Sequence, residues 1–122
     1  MTFFELSDLK LRKMQTLKKN YEFENVLRKG KFYIGKQITI YITKNKEEIN
    51  KFGIAISKKT CKAVKRNYIK RKIRENYRLI EKSLKKGHHI VFLWNKKIPV
   101  EDTNFHIIKK DMENLFKKAG LL

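Results

Sequence analysis

The chain has 122 residues, the usual length of one domain, and its 31 Lys and Arg against 12 Asp and Glu give a net charge of +19. Such a surplus favours a polyanionic partner, and the single cysteine excludes an internal disulfide. No signal peptide and no apolar run near the ~18 residues of a membrane span are visible, and the charge is spread along the chain. We therefore expect a cytoplasmic protein that binds nucleic acid and no membrane.

The N-terminal part of the chain divides into an unpatterned segment and a short helix. Residues 1–15 show no periodicity, and we expect a flexible extension there, followed by a single domain over residues 16–122. The apolar residues of YEFENVLR fall at helical spacing and Gly30 follows them, which predicts a short helix over residues 21–28.

Two segments in the middle of the chain alternate with the period of a β-strand. Residues 36–44 place three isoleucines on one face and Tyr41 on the other. Residues 51–59 place apolar residues on one face and small residues such as Gly53 and Ala55 on the other. We therefore expect two half-buried strands joined by the polar run NKEEIN.

The second face of these strands has two possible uses. Small residues beside Tyr41 form a floor that can accept a flat or extended ligand, and aromatic side chains beside cations often hold single-stranded nucleic acid. Alternatively, the short N-terminal helix covers this face with Phe23 and Leu27. The pattern alone leaves both interpretations open.

The longest helical pattern runs over residues 62–85 and has two different faces. Its apolar residues are spaced four, four, three and four apart and form a narrow stripe: Ile69, Ile73, Tyr77, Ile80 and Leu84. The opposite face carries a ridge of Asn67, Arg71, Arg74 and Arg78. From Ser57 to Arg74 there is no acidic residue, and so many uncompensated cations indicate a face that phosphates occupy.

The remaining elements complete a layered domain. The run HHIVFLW predicts a strand over residues 88–94, and a final amphipathic pattern predicts a helix over residues 103–118. The order helix, strand, strand, long helix, strand, helix is typical of an α+β domain in which helices pack on one mixed sheet.

Candidate catalytic residues are few. The acids Glu47, Glu48, Glu101 and Asp102 fall in predicted loops, and the three histidines are not arranged as a zinc site. Cys61 has no partner for thiol chemistry and is interpreted as a surface or capping residue. We therefore expect no catalytic residue, no metal site and no small-molecule cofactor in the protein itself.

Three segments, in order along the chain, resemble the protein subunit of bacterial ribonuclease P. YEFENVLRKG is similar to the first helix of that family, and GIAISKK is similar to the strand that leads into its basic helix. The basic helix carries the most characteristic motif, which stands here as Lys58-Lys59, Ala63-Val64, Arg66-Asn67-Tyr68, Lys70-Arg71 and Arg74. The resemblance extends from Thr16 to the C-terminus.

The resemblance implies a two-layer α/β sandwich with a mixed sheet of about four strands, three helices and a left-handed β-α-β crossover, a rare exception to the right-handed rule. It also implies that a separate RNA is the catalyst and that Mg²⁺ bound by this RNA cleaves precursor tRNA. The catalytic RNA and precursor tRNA are thus the expected partners, with no obligate protein partner.

Two sets of residues receive roles by position match in this resemblance. The catalytic RNA would be bound by Lys58, Lys59, Arg66, Asn67, Lys70, Arg71 and Arg74. The 5′ leader of precursor tRNA would lie in a cleft between the first helix and the sheet, lined by Phe23, Leu27, Lys36 and Tyr41.

The sequence departs from the family pattern at three positions. Tyr68 replaces the second arginine of the Arg-Asn-Arg motif, which would exchange a guanidinium contact for a stacking or hydroxyl contact. Leu27 stands where an aromatic residue is frequent, which weakens the case for stacking there. Cys61 stands where a glycine is common.

Two other functions are compatible with the net charge of +19. A ribosomal or other structural RNA-binding protein would need the basic helix but no open aromatic cleft. A sequence-reading DNA-binding protein would usually dimerise and prefer particular duplex sites. The resemblance favours ribonuclease P over both.

Overall fold

The computed structural model describes residues 15–59 and 61–122, which form a five-stranded mixed sheet and three α-helices. The strands are β1 (Gln15–Thr16), β2 (Lys31–Ile34), β3 (Ile38–Lys44), β4 (Lys51–Ala55) and β5 (His88–Trp94). The helices are α1 (Asn20–Lys29), α2 (Ala63–Ile80) and α3 (Phe105–Ala119). Short 3₁₀ turns at Glu81–Ser83 and Val100–Asp102 follow α2 and precede α3.

The strands are arranged in the order β1-β4-β5-β3-β2. β4 and β5 are adjacent and parallel, so α2 forms the crossover between them, while β3 pairs antiparallel with β5 and with β2. Because parallel neighbours end at the same edge of a sheet, the residues after Ala55 and those after Trp94 lie close together. The β-α-β crossover that the resemblance implied is present, and its left hand stays a prediction.

One face of the sheet carries the main core. The isoleucines of β3 face α2 and α3 together with Phe52 and Phe92, and all of them are buried. The predicted apolar stripe of α2 is confirmed, since Ile69, Ile73 and Tyr77 are fully buried against this face. Apolar burial stabilises by about 25 cal/mol per Å², so the two main layers, the sheet and the α2–α3 pair, supply most of the stability.

The opposite face of the sheet is partly covered by α1. A small apolar cluster there joins Phe23 and Leu27 of α1 to Tyr41 and to the buried Val91. The ring of Phe23 lies over Gly53, where a Cβ atom would overlap it. α1 thus covers the floor at Gly53, as the second interpretation expects, and leaves Tyr41 half-buried. Binding of a ligand on this face stays a prediction.

All the elements predicted from local patterns are present; β5 has the predicted ends, and the ends of the others are shifted. α2 ends at Ile80, and a 3₁₀ turn follows where the helical pattern predicted continuation to residue 85. The sheet has five strands instead of about four, since the edge strands β1 and β2 were not predicted. Gln15, the last residue of the predicted extension, lies in β1 and pairs with Lys51 of β4. Residues 1–14 of that extension lie outside the described residues.

Candidate RNA-binding surfaces

The charged face of α2 lies opposite the buried stripe, as the helical spacing predicts. Asn67, Arg71 and Arg74 are exposed on this face, and Lys70 lies beside them with its side chain partly buried. The first acid of α2 is Glu75, so the row from Asn67 to Arg74 has no carboxylate partner within its own sequence. These four predicted RNA-binding residues therefore share one continuous cationic surface.

Arg66 has a different environment from the other predicted RNA-binding residues. Its Nη1 donates hydrogen bonds to the backbone oxygens of Cys61 and Lys58, at 2.6 and 3.3 Å, and the residue is half-buried. The guanidinium thereby ties the segment before α2 to the first turns of the helix. Lys58 and Lys59 lie in that segment and are exposed. One guanidinium nitrogen of Arg66 thus holds the backbone at Lys58 and Cys61, and RNA binding by Arg66 stays a prediction.

Tyr68, which replaces an arginine of the family motif, is 40% exposed on the side of α2 that faces the loop before α3. Arg71 Cζ lies 6.0 Å and Lys72 Nζ 5.4 Å from the centre of its ring, at cation–π distance. Lys72 also lies 3.7 Å from the carboxylate of Glu75. The ring is therefore part of the cationic surface, where it can accept a stacked base.

A lysine-lined cleft that the sequence patterns did not predict lies where β4 and β5 end. Its volume is about 780 Å³, and the segment before α2 and the loop after β5 form its sides. Five of its lining residues are lysines: Lys59, Lys62, Lys65, Lys96 and Lys97. The parallel pairing of β4 with β5 brings Lys96 and Lys97 to the other three. In the sequence, this lysine pair only follows the predicted strand at a distance of one residue, which does not by itself predict a cleft.

One acid, Glu101, lines the lysine-lined cleft. Its carboxylate lies 3.2 Å from Lys65 Nζ. A hydrogen bond from its own backbone N–H, together with the Lys65 ammonium, holds the pKa of the Glu101 carboxyl below its usual value. The carboxylate stays ionised and offsets one of the five lysine charges, so the cleft keeps a strong positive excess.

Three of the four residues predicted for the leader cleft meet on the other face of the sheet. Phe23, Leu27 and Tyr41 belong to one apolar cluster, and each is half-buried. The ring of Tyr41 has a further neighbour in Phe32 of β2, with 5.5 Å between the ring centres and 31° between the ring planes. Phe23 and Leu27 dock α1 on the sheet, and Tyr41 and Phe32 form the aromatic surface of the neighbouring strands β3 and β2.

The fourth residue, Lys36, lies in the turn between β2 and β3 and is exposed. Its backbone N–H and those of Gln37 and Ile38 donate to the carboxylate of Asp111 on α3, at 3.0, 2.7 and 3.2 Å. Asp111 is only 5% exposed, and a Cβ atom at Gly35 would lie 2.6 Å from its carboxyl carbon. The structure thus places Lys36 on a firmly held turn at the rim of the sheet, outside the apolar cluster beneath α1.

Among the described residues, no group of three or more His, Cys, Asp and Glu side chains could hold a metal ion. Cys61 is a free cysteine at the lysine-lined cleft. No helix in residues 15–59 and 61–122 is long and apolar enough to span a membrane.

Known proteins with similar sequences include ribonuclease P protein components. Residues 11–120 match the family model of ribonuclease P. The "Ribonuclease P protein component" of Clostridium botulinum (strain 657 / Type Ba4) is 40% identical over 110 residues, which cover 89% of this chain and 97% of that protein. The protein of the same name from Clostridium perfringens (strain SM101 / Type A) is 41% identical over 113 residues, which cover 87% and 89%.

Solved structures with a similar fold agree with the sequence matches. An RNase P protein mutant from Staphylococcus aureus has a TM-score of 0.80 and 28% identity, with both chains covered completely. The RNase P protein from Thermotoga maritima has a TM-score of 0.76 and 27% identity, covering 85% of this chain and 96% of that one. The family match spans most of the chain and includes α2 with its charged face, and this chain therefore belongs to the ribonuclease P family.

Proposed function

We propose that this chain is the protein component of a ribonuclease P, which binds the catalytic RNA subunit and the 5′ leader of precursor tRNA and promotes Mg²⁺-dependent removal of that leader. The observation that carries the proposal is the presence of two chemically different surfaces on opposite sides of the sheet. One is the charged face of α2, and the other is the aromatic surface around Tyr41. Because the sheet separates them, one protein can hold two RNAs at the same time.

The charged face of α2 suits the RNA subunit. Arg71 and Arg74 are exposed, and the planar guanidinium binds phosphate oxygens through two donors at once. Cations on one helix face repel one another, and bound phosphates relieve that repulsion. The lysine-lined cleft extends the same positive surface around the end of the sheet.

The surface around Tyr41 suits an unpaired strand. Its ring belongs to β3 and packs against the apolar cluster beneath α1, so a base can stack on it without first ordering the side chain. Base stacking on aromatic side chains is worth ~1–3 kcal/mol per base and depends little on which base is present. A leader of variable sequence can therefore be bound there, and Lys36 at the rim attracts its phosphates.

Cleavage itself is assigned to the RNA subunit in this proposal. The resemblance to ribonuclease P implies that the metal ions are bound by the RNA. The protein binds and positions: α2 holds the catalytic RNA, and the other face of the sheet retains the leader. A structural RNA-binding protein, the alternative, would have no use for the second surface.

Reconstitution tests this function directly. Purified protein is added to the ribonuclease P RNA of the same organism at a Mg²⁺ concentration too low for that RNA to cleave alone, and release of the 5′ leader from precursor tRNA is followed. We expect leader release only when both components are present. Site-specific cleavage by RNA-free protein, or RNA activity that the protein leaves unchanged, would refute the proposal.

A further inference from the structure

The edge strand β2 exposes two large apolar side chains to which the proposed function gives no role of their own. Phe32 is 57% exposed and Ile34 is 65% exposed, on a strand of four residues. The register pairs Phe32 with Tyr41 and Ile34 with Thr39, so these side chains lie on the same face of the sheet as α1. β2 is the outermost strand at this end of the sheet.

Phe32 continues the aromatic surface of Tyr41. The two ring centres are 5.5 Å apart and the planes differ by 31°, so the rings form one sloping platform across β3 and β2. Tyr41 is half-buried beside α1, whereas Phe32 leaves more than half of its surface free. Phe32, Ile34 and the edge of Tyr41 together make an apolar patch, and such a patch on a charged protein indicates a contact surface.

The charges around this platform indicate what covers it. From Asn25 to Lys46, a stretch that contains β2 and β3, the sequence has six Lys and Arg and no Asp or Glu. A second copy of the chain, with a net charge of +19, would be repelled from such a surface. Unpaired nucleotides fit it better, since their bases stack on an aromatic ring while the surrounding cations attract their phosphates.

We propose that Phe32 and Ile34 extend the leader-binding surface to nucleotides farther from the cleavage site than those that stack on Tyr41. This inference rests on the proposed function. In the proposed function, the catalytic RNA covers the charged face of α2 and the lysine-lined cleft, which lies at the ends of β4 and β5. β2 is at the other end of the strand order β4-β5-β3-β2. A leader that starts beside the catalytic RNA therefore reaches β3 first and β2 one strand spacing, ~4.8 Å, farther on.

The test is binding of precursor tRNAs, with leaders lengthened nucleotide by nucleotide, to the assembled protein–RNA particle, with Ca²⁺ in place of Mg²⁺ to suppress cleavage. Phe32→Ala and Tyr41→Ala are compared with the wild type. Phe32→Tyr keeps the ring, and Leu79→Ala removes a side chain of α2 that is 67% exposed and lies away from this face. Thermal melting of each variant checks that the fold is retained.

Once the leader is long enough to reach β2, we expect Phe32→Ala to lower the affinity about fivefold or more. A decrease of about fivefold is the lower limit expected for the loss of one stacked base. Phe32→Tyr and Leu79→Ala should bind like the wild type. With shorter leaders that already respond to Tyr41→Ala, Phe32→Ala should have no effect.

Three results would overturn the inference. If Phe32→Ala binds with wild-type affinity at every leader length, β2 is not part of the leader path. The proposed function would still stand if Tyr41→Ala weakens binding of tRNA with a leader more than binding of tRNA without one. An effect of Phe32→Ala at the shortest responsive leader would contradict the distal position. A change in the mass of the particle on Phe32→Ala would identify β2 as a contact between copies. If Tyr41→Ala lowers the affinity for leaderless tRNA as much as the affinity for precursor tRNA, the result would count against the proposed function instead.

Discussion

At the scale of single residues, Asp111 shows how a distant side chain fixes a predicted binding residue. Its buried carboxylate accepts three backbone hydrogen bonds from the turn that carries Lys36, 73 to 75 positions earlier in the chain. The local pattern of α3 predicts an amphipathic helix and does not distinguish this acid from exposed ones. Lys36 could thus be predicted as a site residue through the resemblance, whereas the group that holds it could not.

Replacing Asp111 by alanine should destabilise the fold. Three backbone N–H groups would lose a charged acceptor at a buried position. One hydrogen bond to a charged group contributes about 1.5–3 kcal/mol, and bonds that share one acceptor are not additive, so we expect a loss of about 2–4 kcal/mol in the free energy of unfolding. Urea unfolding measures this loss. The control is Asp102→Ala, which removes an exposed acid. Equal unfolding free energies for the two variants would contradict the assigned role.

The two histidines at the start of β5 should make stability depend on pH. Burial, which disfavours the charged imidazole, lowers the pKa of His88 and of His89 below 6.5. The unfolded chain therefore takes up these protons at higher pH than the folded protein does, so their contribution is full above pH 6.5 and is lost as the pH falls through the folded-state pKa values. We expect the free energy of unfolding to decline below pH 6.5, and to decline less in the double variant His88→Gln/His89→Gln. Parallel pH profiles for the two proteins would show that other groups cause the decline.

At the scale of elements, the sequence predicted the helices, whereas it did not predict the edge strands. The buried stripe and the charged face of α2 depend only on the helical period, and both were confirmed. β1 has two residues and thus no period to detect, and β2 directs Phe32 and Ile34 away from the main core, so its apolar residues do not mark a buried face. The hydrogen bonds of Arg66 depend on the path of the preceding backbone, which spacing alone does not reveal.

Removing two guanidiniums from α2 tests the proposal that this helix binds the RNA subunit. We expect Arg71→Ala/Arg74→Ala to weaken binding to that RNA and to reduce the log–log salt slope by up to about 0.7–0.9 for each phosphate that the variant no longer binds. Arg66 is left intact because its removal would also release the backbone of Cys61 and Lys58. The measurement is affinity over a salt series.

The matched control for this experiment is Lys109→Ala/Lys110→Ala, which removes the same charge from the exposed side of α3. If the two double variants show the same decrease in affinity and slope, the binding reflects the overall charge of the protein and the charged face of α2 has no special role.

At the scale of the whole molecule, the sheet separates the two proposed RNA-binding surfaces, the charged face of α2 and the aromatic surface around Tyr41. The α+β class and the basic helix could be predicted from spacing and charge, and the β-α-β crossover came only from the resemblance. The lysine-lined cleft could not be predicted, because it needs the parallel pairing that brings Lys96 and Lys97 beside the start of α2. Leader binding and binding of the RNA subunit should therefore be separable by mutation.

The most direct test of that separation is the effect of Tyr41→Ala on binding of precursor and mature tRNA to the assembled particle, at fixed salt and with Ca²⁺ replacing Mg²⁺. Tyr41→Phe serves as the control that keeps the ring. We predict that Tyr41→Ala costs ~1–3 kcal/mol of affinity for precursor tRNA and almost nothing for mature tRNA, which lacks the leader, while assembly with the RNA subunit is unchanged. Equal losses for the two tRNAs, or weaker assembly of the particle, would contradict the assignment of this face to the leader.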